Sequence, residues 1–247
     1  MPNHVSSNLV VTGPAEDVHR FVSAVDRSKD ADGKAFDFNG VLAMPKELGG
    51  TRSPTLIQTQ SEIDALWAEW QKKKDSKCDT GPMGLHSYEQ DAPWGLGITQ
   101  TASDTLIAKY GSDNWYDWTL RNWGTKWGAY DTGEWEVNDN HPCGNTTATI
   151  NYNTAWSPAN AFFEKASLLF PTLVFDTEYA DEGGGFVGAT SFENGEIGDH
   201  DYEWDSPEGI DVRESVGYGP CEDEDEDVLN EDVAIETIGF SSASQTE

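Results

Sequence analysis

Between Thr147 and Phe192 the period of the apolar residues changes twice, and this run constrains the fold more than any other part of the chain. Thr147–Trp156 alternates apolar and polar side chains, the period of a half-buried strand. Ser157 and Pro158 supply an N-cap and first-turn pair, and the stretch ANAFFEKASLLF then carries a helical stripe until Pro171 stops it. Leu173–Phe175 with Glu178 and Tyr179 make the next strand, and Gly185–Phe192 pairs back on it as a hairpin. The N-terminus opens in a related way. Residues 7–12 (SNLVVT) read as a strand closed by Gly13-Pro14. From Ala15 the helical spacing puts Val18, Phe21, Val22 and Val25 on one face, with Glu16 and Asp17 in the first turn, where acids are favourable. Phe36-Asp37-Phe38 and Val41–Met44 read as a second extended segment before Pro45. The order β-α-β, inserted helices, β-α-β-β predicts an α+β class: a ferredoxin-like split βαβ sandwich with its helices on one sheet face.

The insertion spans about residues 60–125. Ser61–Asp64 resembles a capping box with Asp in place of Glu, opening a helix through Lys72 whose stripe is Ile63, Leu66, Trp67 and Trp70. Residues 78–99 are rich in Gly and Pro and read as a loop. Residues 102–121 read as helical again, broken near Gly111. The expected organisation is a ferredoxin-like domain over 1–195 followed by an acidic C-terminal extension over 196–247.

Charge divides the chain unevenly. The 247 residues carry a formal net charge of −30. Residues 1–180 hold 24 acids and 14 bases, whereas residues 181–247 hold 21 acids and one base, Arg213. A halophile's acidity would be spread over the whole surface, so the asymmetry argues against that explanation without excluding it. Glu222–Asp227 is an unbroken acidic run whose ordinary reading is a solvated tail. Ten Trp and 11% aromatics indicate a folded body, since a disordered acidic chain lacks them. Direct binding to nucleic acid is disfavoured because a polyanion is repelled, while a basic partner would be attracted faster.

Other classes fall away. No run of about 18 apolar residues reads as a membrane span, and MPNHVSSNLVV lacks the basic and apolar regions of a signal peptide, so a cytoplasmic location is expected. Cys78, Cys143 and Cys221 lie far apart without CxxC spacing, which predicts neither a disulfide framework nor a zinc site. Gly183–Gly188 matches GxGxxG, but strand-like residues follow it and Asp181-Glu182 would repel phosphate, so a hairpin turn is expected. Asp30–Gly33 fails as a calcium loop because Asn39 stands where a bidentate Glu belongs. Asp199-His200-Asp201 is at most a weak cation site, and no nucleophile–base pair, GxSxG, HExxH or P-loop occurs. No catalytic residue, cofactor or metal site is assigned.

Six Trp fall between Trp115 and Trp156. Their functional reading is a stacking platform; the ordinary one is a core whose large rings fill space between helix and sheet, which the scarcity of adjacent Lys and Arg favours. Within this segment, Trp115-Tyr-Asp-Trp118 and Asn122-Trp-Gly-Thr-Lys-Trp127 resemble the YubB-like ferredoxin-like family of plasmid and phage proteins. Further pieces fit in order: Met1-Pro-Asn3 with Asn8–Gly13, Phe38-Asn39 with Met44-Pro45 and Leu48, and Thr154–Pro158 with Phe170-Pro171. His4-Val5 stands where family members often carry Trp-Cys. The resemblance covers about residues 1–195 and implies a ferredoxin-like fold and a mobile-element setting, with no catalytic residues to carry over. Gly124 is expected to end a helix in a left-handed conformation, with Trp123 and Trp127 packed under the turn and Lys126 either over an aromatic face or paired with a nearby acid.

These observations lead to an expected function: a non-enzymatic phage or plasmid inhibitor of a host nucleic-acid-binding defence machine, acting by acidic mimicry of phosphates. A CRISPR effector, a restriction enzyme and a recombination nuclease are the candidate targets. The alternative is a housekeeping or processing module with a solubilising acidic tail. The expected partner surface comprises Asp199, Asp201, Glu203 and Asp205, then Glu208, Asp211 and Glu214, then Glu222, Asp223, Glu224 and Asp225. In an extended strand the first four would share one face, two residues advancing about 6.6 Å, while Tyr202 and Trp204 anchor the other. The spacing of 208, 211 and 214 suits a turn or helix.

Overall fold

The computed structural model describes residues 3–30, 33–76, 96–139 and 144–218. Strand β1, His4–Gly13, buries alternate residues along its whole length, with Val5, Ser7, Leu9 and Val11 on the inner face. Helix α1, Ala15–Val25, buries Val18, Phe21 and Val25 against that face. The chain then departs from expectation. Residues 36–44 form no strand: Phe38–Gly40 is a single 3-10 turn capped by the Asp37 carboxylate, which accepts from the Asn39 amide. The Asp37 amide donates to Val25 O, folding the segment back on the end of α1. Both Phe36 and Phe38 are fully buried as plugs from an irregular backbone. Gly40 is required there, since a Cβ would lie 1.8 Å from Ala24 O.

Four helices follow: α2, Lys46–Gly49; α3, Gln60–Ser76; α4, Gln100–Tyr110; and α5, Trp115–Trp123. The capping box of α3 sits two residues earlier than the sequence pattern placed it. Thr59 Oγ1 accepts from the Glu62 amide at 3.3 Å, and Glu62 Oε2 accepts from the Thr59 amide at 2.8 Å. The expected loop at 78–99 lies outside the described residues up to 95; beyond it, Ile98 bridges Ile57. Helices α4 and α5 break at Gly111 as expected, with φ at 73°. Asn114 caps α5 by accepting from the Asp117 amide.

The remaining elements are β2, Glu136–Asn138; β3, Thr146–Ala155; α6, Asn160–Leu169; β4, Val174–Asp181; β5, Val187–Glu193; β6, Glu196–Tyr202; and α7, Pro207–Ser215. Ser157 does not cap α6. The helix starts at Asn160, and the Ser157 hydroxyl instead donates to Gly124 O at 2.6 Å. The six strands pair antiparallel in the order β2-β3-β1-β4-β5-β6. Its first four strands with α1 and α6 trace βαββαβ, the split arrangement of a ferredoxin-like α+β fold. The insertion lies between α1 and β2, so the edge strand β2 takes the place expected of residues 36–44.

The principal core is aromatic. Phe38 stacks on Phe162 at 4.3 Å, and Phe36 meets Phe38, Tyr152 and Trp135 edge-on. Trp118 and Trp123 are buried, and the Trp123 and Trp135 indole N–H groups donate to Leu42 O and Ala35 O. Gly124 has φ at 81° and closes α5, as expected. Thr125 clips this turn to β3: its hydroxyl donates to Ala155 O and accepts from the Ala155 amide. Lys126 Nζ stands 4.7 Å from the Trp127 ring centroid. Trp156 differs; with φ at 74° it turns outward and is half exposed. The sheet continues past residue 195 through β6, and α7 packs on β4 and β5.

Candidate functional site

Among the described residues, the six-stranded sheet has one face under α1 and α6 and another covered at one end by α7. Alternation fixes what the second face presents. β1 turns His4, Ser6, Asn8, Val10 and Thr12 to it, because Val5, Ser7, Leu9 and Val11 face the core. By register the same face receives Thr149, Asn151 and Asn153 from β3, Glu136 from β2, and Asp176 and Glu178 from β4. One row across the sheet reads Asn151, Asn8, Glu178, Ala189, His200; the next reads Glu136, Thr149, Val10, Asp176, Ser191. A groove of about 350 Å³ lies on this face, lined by Asn8, Glu134, Glu136, Thr149, Asn151 and Ser215 among others. It is bounded by amides, hydroxyls and carboxylates.

Helix α7 makes a small second core. Val212 packs with Ala180 and Val187, and Tyr202, Trp204, Val216 and Tyr218 close around them. Ser206 caps the helix by accepting from the Gly209 amide, and the Arg213 guanidinium lies 4.7 Å from the Trp204 ring centroid. The Ser215 hydroxyl donates to Glu178, tying the helix to the acidic row. At the end of β1, His4 Nδ1 lies 2.7 Å from the Tyr130 hydroxyl. Burial and the nearby Asp131 and Glu182 charges hold the Tyr130 phenol up at about 12.

The expected acidic stripe is split by this geometry. Asp199 and Asp201 lie in β6 and share the helix-side face, since they pair with Thr190 and Gly188. Asp199 accepts from the Thr190 hydroxyl at 2.6 Å. Burial, and secondarily the Asp199 and Asp201 charges, raise the Tyr179 phenol above its ordinary value. Glu203 and Asp205 follow the strand and belong to the turn that starts α7, where Glu203 O accepts from the Ser206 amide. A straight four-carboxylate row therefore does not form. Tyr202 and Trp204 do anchor the opposite face. His200 points away from Asp199 and Asp201 and stacks near Tyr202, so the three do not converge on a cation. Glu208, Asp211 and Glu214 are exposed on α7. Glu222, Asp223, Glu224 and Asp225, and all three cysteines, lie outside the described residues. Among the described residues no group of three or more His, Cys, Asp or Glu side chains is placed to hold a metal ion, and no helix is long and apolar enough to cross a membrane.

The sequence pattern missed Glu134, Glu136, Asp176 and Glu178. The signal for the last two was present, because the same alternation that buries Phe175, Thr177 and Tyr179 sends 176 and 178 to the other side. Residues 130–218 hold 18 acids and two bases, Lys165 and Arg213. Lys165 is engaged on the helical side, donating to Arg121 O and Asn122 Oδ1.

The fold defines a ferredoxin-like α+β protein whose sheet, among the described residues, presents an acidic face only partly covered by α7. Residues 123–219 match the family described as a ferredoxin-like domain in Api92-like protein. A solved structure of protein api92 from Yersinia pseudotuberculosis is similar at 10% identity and a TM-score of 0.35, over 81% of this chain and 98% of that one. No curated protein matches.

Proposed function

We propose that the chain is a non-catalytic interaction protein that occupies the nucleic-acid-binding site of a basic partner and thereby inhibits it. One observation carries the reading: residues 130–218 supply 18 acids against two bases, and both bases are engaged within the fold. Such a surface attracts a cationic protein over a distance of about a Debye length, roughly 8 Å at physiological salt. Nucleic acid itself is an unsuitable ligand for this face. A ferredoxin-like sheet that stacks bases does so on aromatic side chains, and the positions in β1 and β3 hold Ser6, Asn8, Thr149 and Asn151. The resemblance to YubB-like plasmid and phage proteins supplies the setting, a mobile element acting on a host defence machine in the cytoplasm.

The test is competition. A partner captured at low salt should be displaced by duplex DNA or RNA and by moderate salt. Capture that resists both excess nucleic acid and salt would overturn the reading in favour of an apolar interface.

A further inference from the structure

The outer edge of β6 has the form of a docking site for one more strand. Asn194 and Gly195 have φ at 47° and 82°, so β5 and β6 are joined by a two-residue turn with both central residues left-handed. Such a turn makes its flanking residues, Glu193 and Glu196, a hydrogen-bonded pair. Hydrogen-bonded and non-bonded pairs alternate along an antiparallel ladder. Glu196, Gly198, His200 and Tyr202 therefore direct their backbone groups to β5, while Ile197, Asp199 and Asp201 direct theirs away from the sheet. The pairing is one-to-one from Val187–Tyr202 to Glu193–Glu196, without a bulge, and β6 ends the sheet among the described residues. An unbulged free edge of seven residues is a template for strand addition.

The side chains decide which strand fits. Ile197, Asp199 and Asp201 share one face along this edge, and Ile197 is 50% exposed. Exposed Leu168 reaches the hairpin turn at Gly195, extending the apolar spot at its end. A second copy of this chain would set these aspartates against like charges, which destabilises a cross-strand pair. A strand with Lys or Arg at alternate positions reverses the sign of every such pair. We propose that a basic extended segment of the partner adds to β6 as a seventh strand, with its backbone on Ile197, Asp199 and Asp201 and its cations against the two aspartates. This rests on the acidic-surface reading and specifies how the partner is held.

The experiment uses the full chain, isotope-labelled, at low salt. The probe is a nine-residue peptide alternating Lys and Thr; the control is the same peptide with every backbone amide N-methylated, which keeps the charge and removes the strand donors. The expected result is binding about tenfold or more tighter for the probe, with amide exchange slowed by a similar factor at Ile197, Asp199 and Asp201 and unchanged at Gly198 and His200. Asp199→Asn with Asp201→Asn should weaken the probe about fivefold, the sum expected of two exposed ion pairs. Equal binding of both peptides without protection at those three amides overturns strand addition and leaves the acidic-surface reading standing. Unchanged affinity in the double variant also overturns it. Failure of both peptides to bind overturns both.

Discussion

The two faces of the sheet are built on opposite principles. On the helical side, rings fill the space: seven phenylalanines, Phe21, Phe36, Phe38, Phe162, Phe163, Phe175 and Phe192, are fully buried in one core. On the other side a few apolar residues under α7 make a small core, and most of the rest is Ser, Thr, Asn, Asp and Glu, with Val10, His4 and His200 among them. Charge is divided along the chain as well, with 17 acids and 13 bases in residues 1–129 against 18 and two in 130–218, the segment that supplies Glu136, Asp176 and Glu178 to the open face. Apolar burial is the dominant favourable term in folding, and like charges oppose compactness. A sheet held from one side can therefore carry an unbalanced charge on the other.

The strongest way to break this comparison is to empty the main core. Phe162 is fully buried against Phe38, Phe36 and Phe163, so Phe162→Ala should cost about 3–5 kcal/mol. Thermal or urea unfolding measures it, and a loss under about 1 kcal/mol would mean that the rings are not the principal support. The corresponding change in the small core, Val212→Ala, should cost only about 1–2 kcal/mol, because fewer buried groups surround it.

Alkali probes both sides through tyrosine. Burial raises the Tyr152 phenol strongly and the Tyr179 phenol as well, while Tyr130 is pushed up to about 12. The folded protein thus keeps protons that the unfolded chain releases near pH 10. This contribution is fully present below pH 10 and is lost as pH rises through the folded values. Melting temperature should fall steeply from pH 10 to pH 12, and Tyr152→Phe should flatten that slope. An unaltered slope in the variant would exclude Tyr152 as a source.

Much of the fold was legible in sequence because alternation and helical spacing report directly on burial. β1, α1, β3, β4, β5 and the break at Gly111 all follow from them. The errors share a cause. Phe36 and Phe38 alternate as a strand would, yet they plug the core from a turn, since burial of every second residue does not require extended backbone. β2 has three exposed residues and no pattern to read; Trp135, half-buried beside it and bonded to Ala35 O, holds it in place. The body was expected to end at 195, although Asn194-Gly195 is itself a strong hairpin signal and carries β6 into the sheet. The acidic face was legible only in part: alternation in β4 sends Asp176 and Glu178 to it, Glu136 joins them only through pairing with β3, and the β6 aspartates that stood out as a run lie on the helix side.

The smallest effect has the most informative sign. On the helical side Glu47 lies 3.1 Å from Lys109 Nζ and accepts from the Tyr110 hydroxyl at 2.7 Å. The Tyr110 hydroxyl, with help from Lys109, holds the Glu47 carboxyl down at about 2. Glu47→Gln should therefore lower the melting temperature slightly. On the sheet side Glu134, Glu136 and Asp176 surround the groove and its neighbouring row with no base beside them in the register. Replacing them together by Gln, Gln and Asn keeps their size and removes repulsion, so the melting temperature should rise by about a degree at low salt. In 1 M salt the Debye length is about 3 Å, and both differences should shrink toward zero. The same triple variant should bind a basic partner more weakly. Both outcomes together would mark a surface whose charge is kept for a partner at a cost in stability. If the variant melts lower at low salt, those carboxylates are structural, and the contrast between the two faces would rest on packing alone.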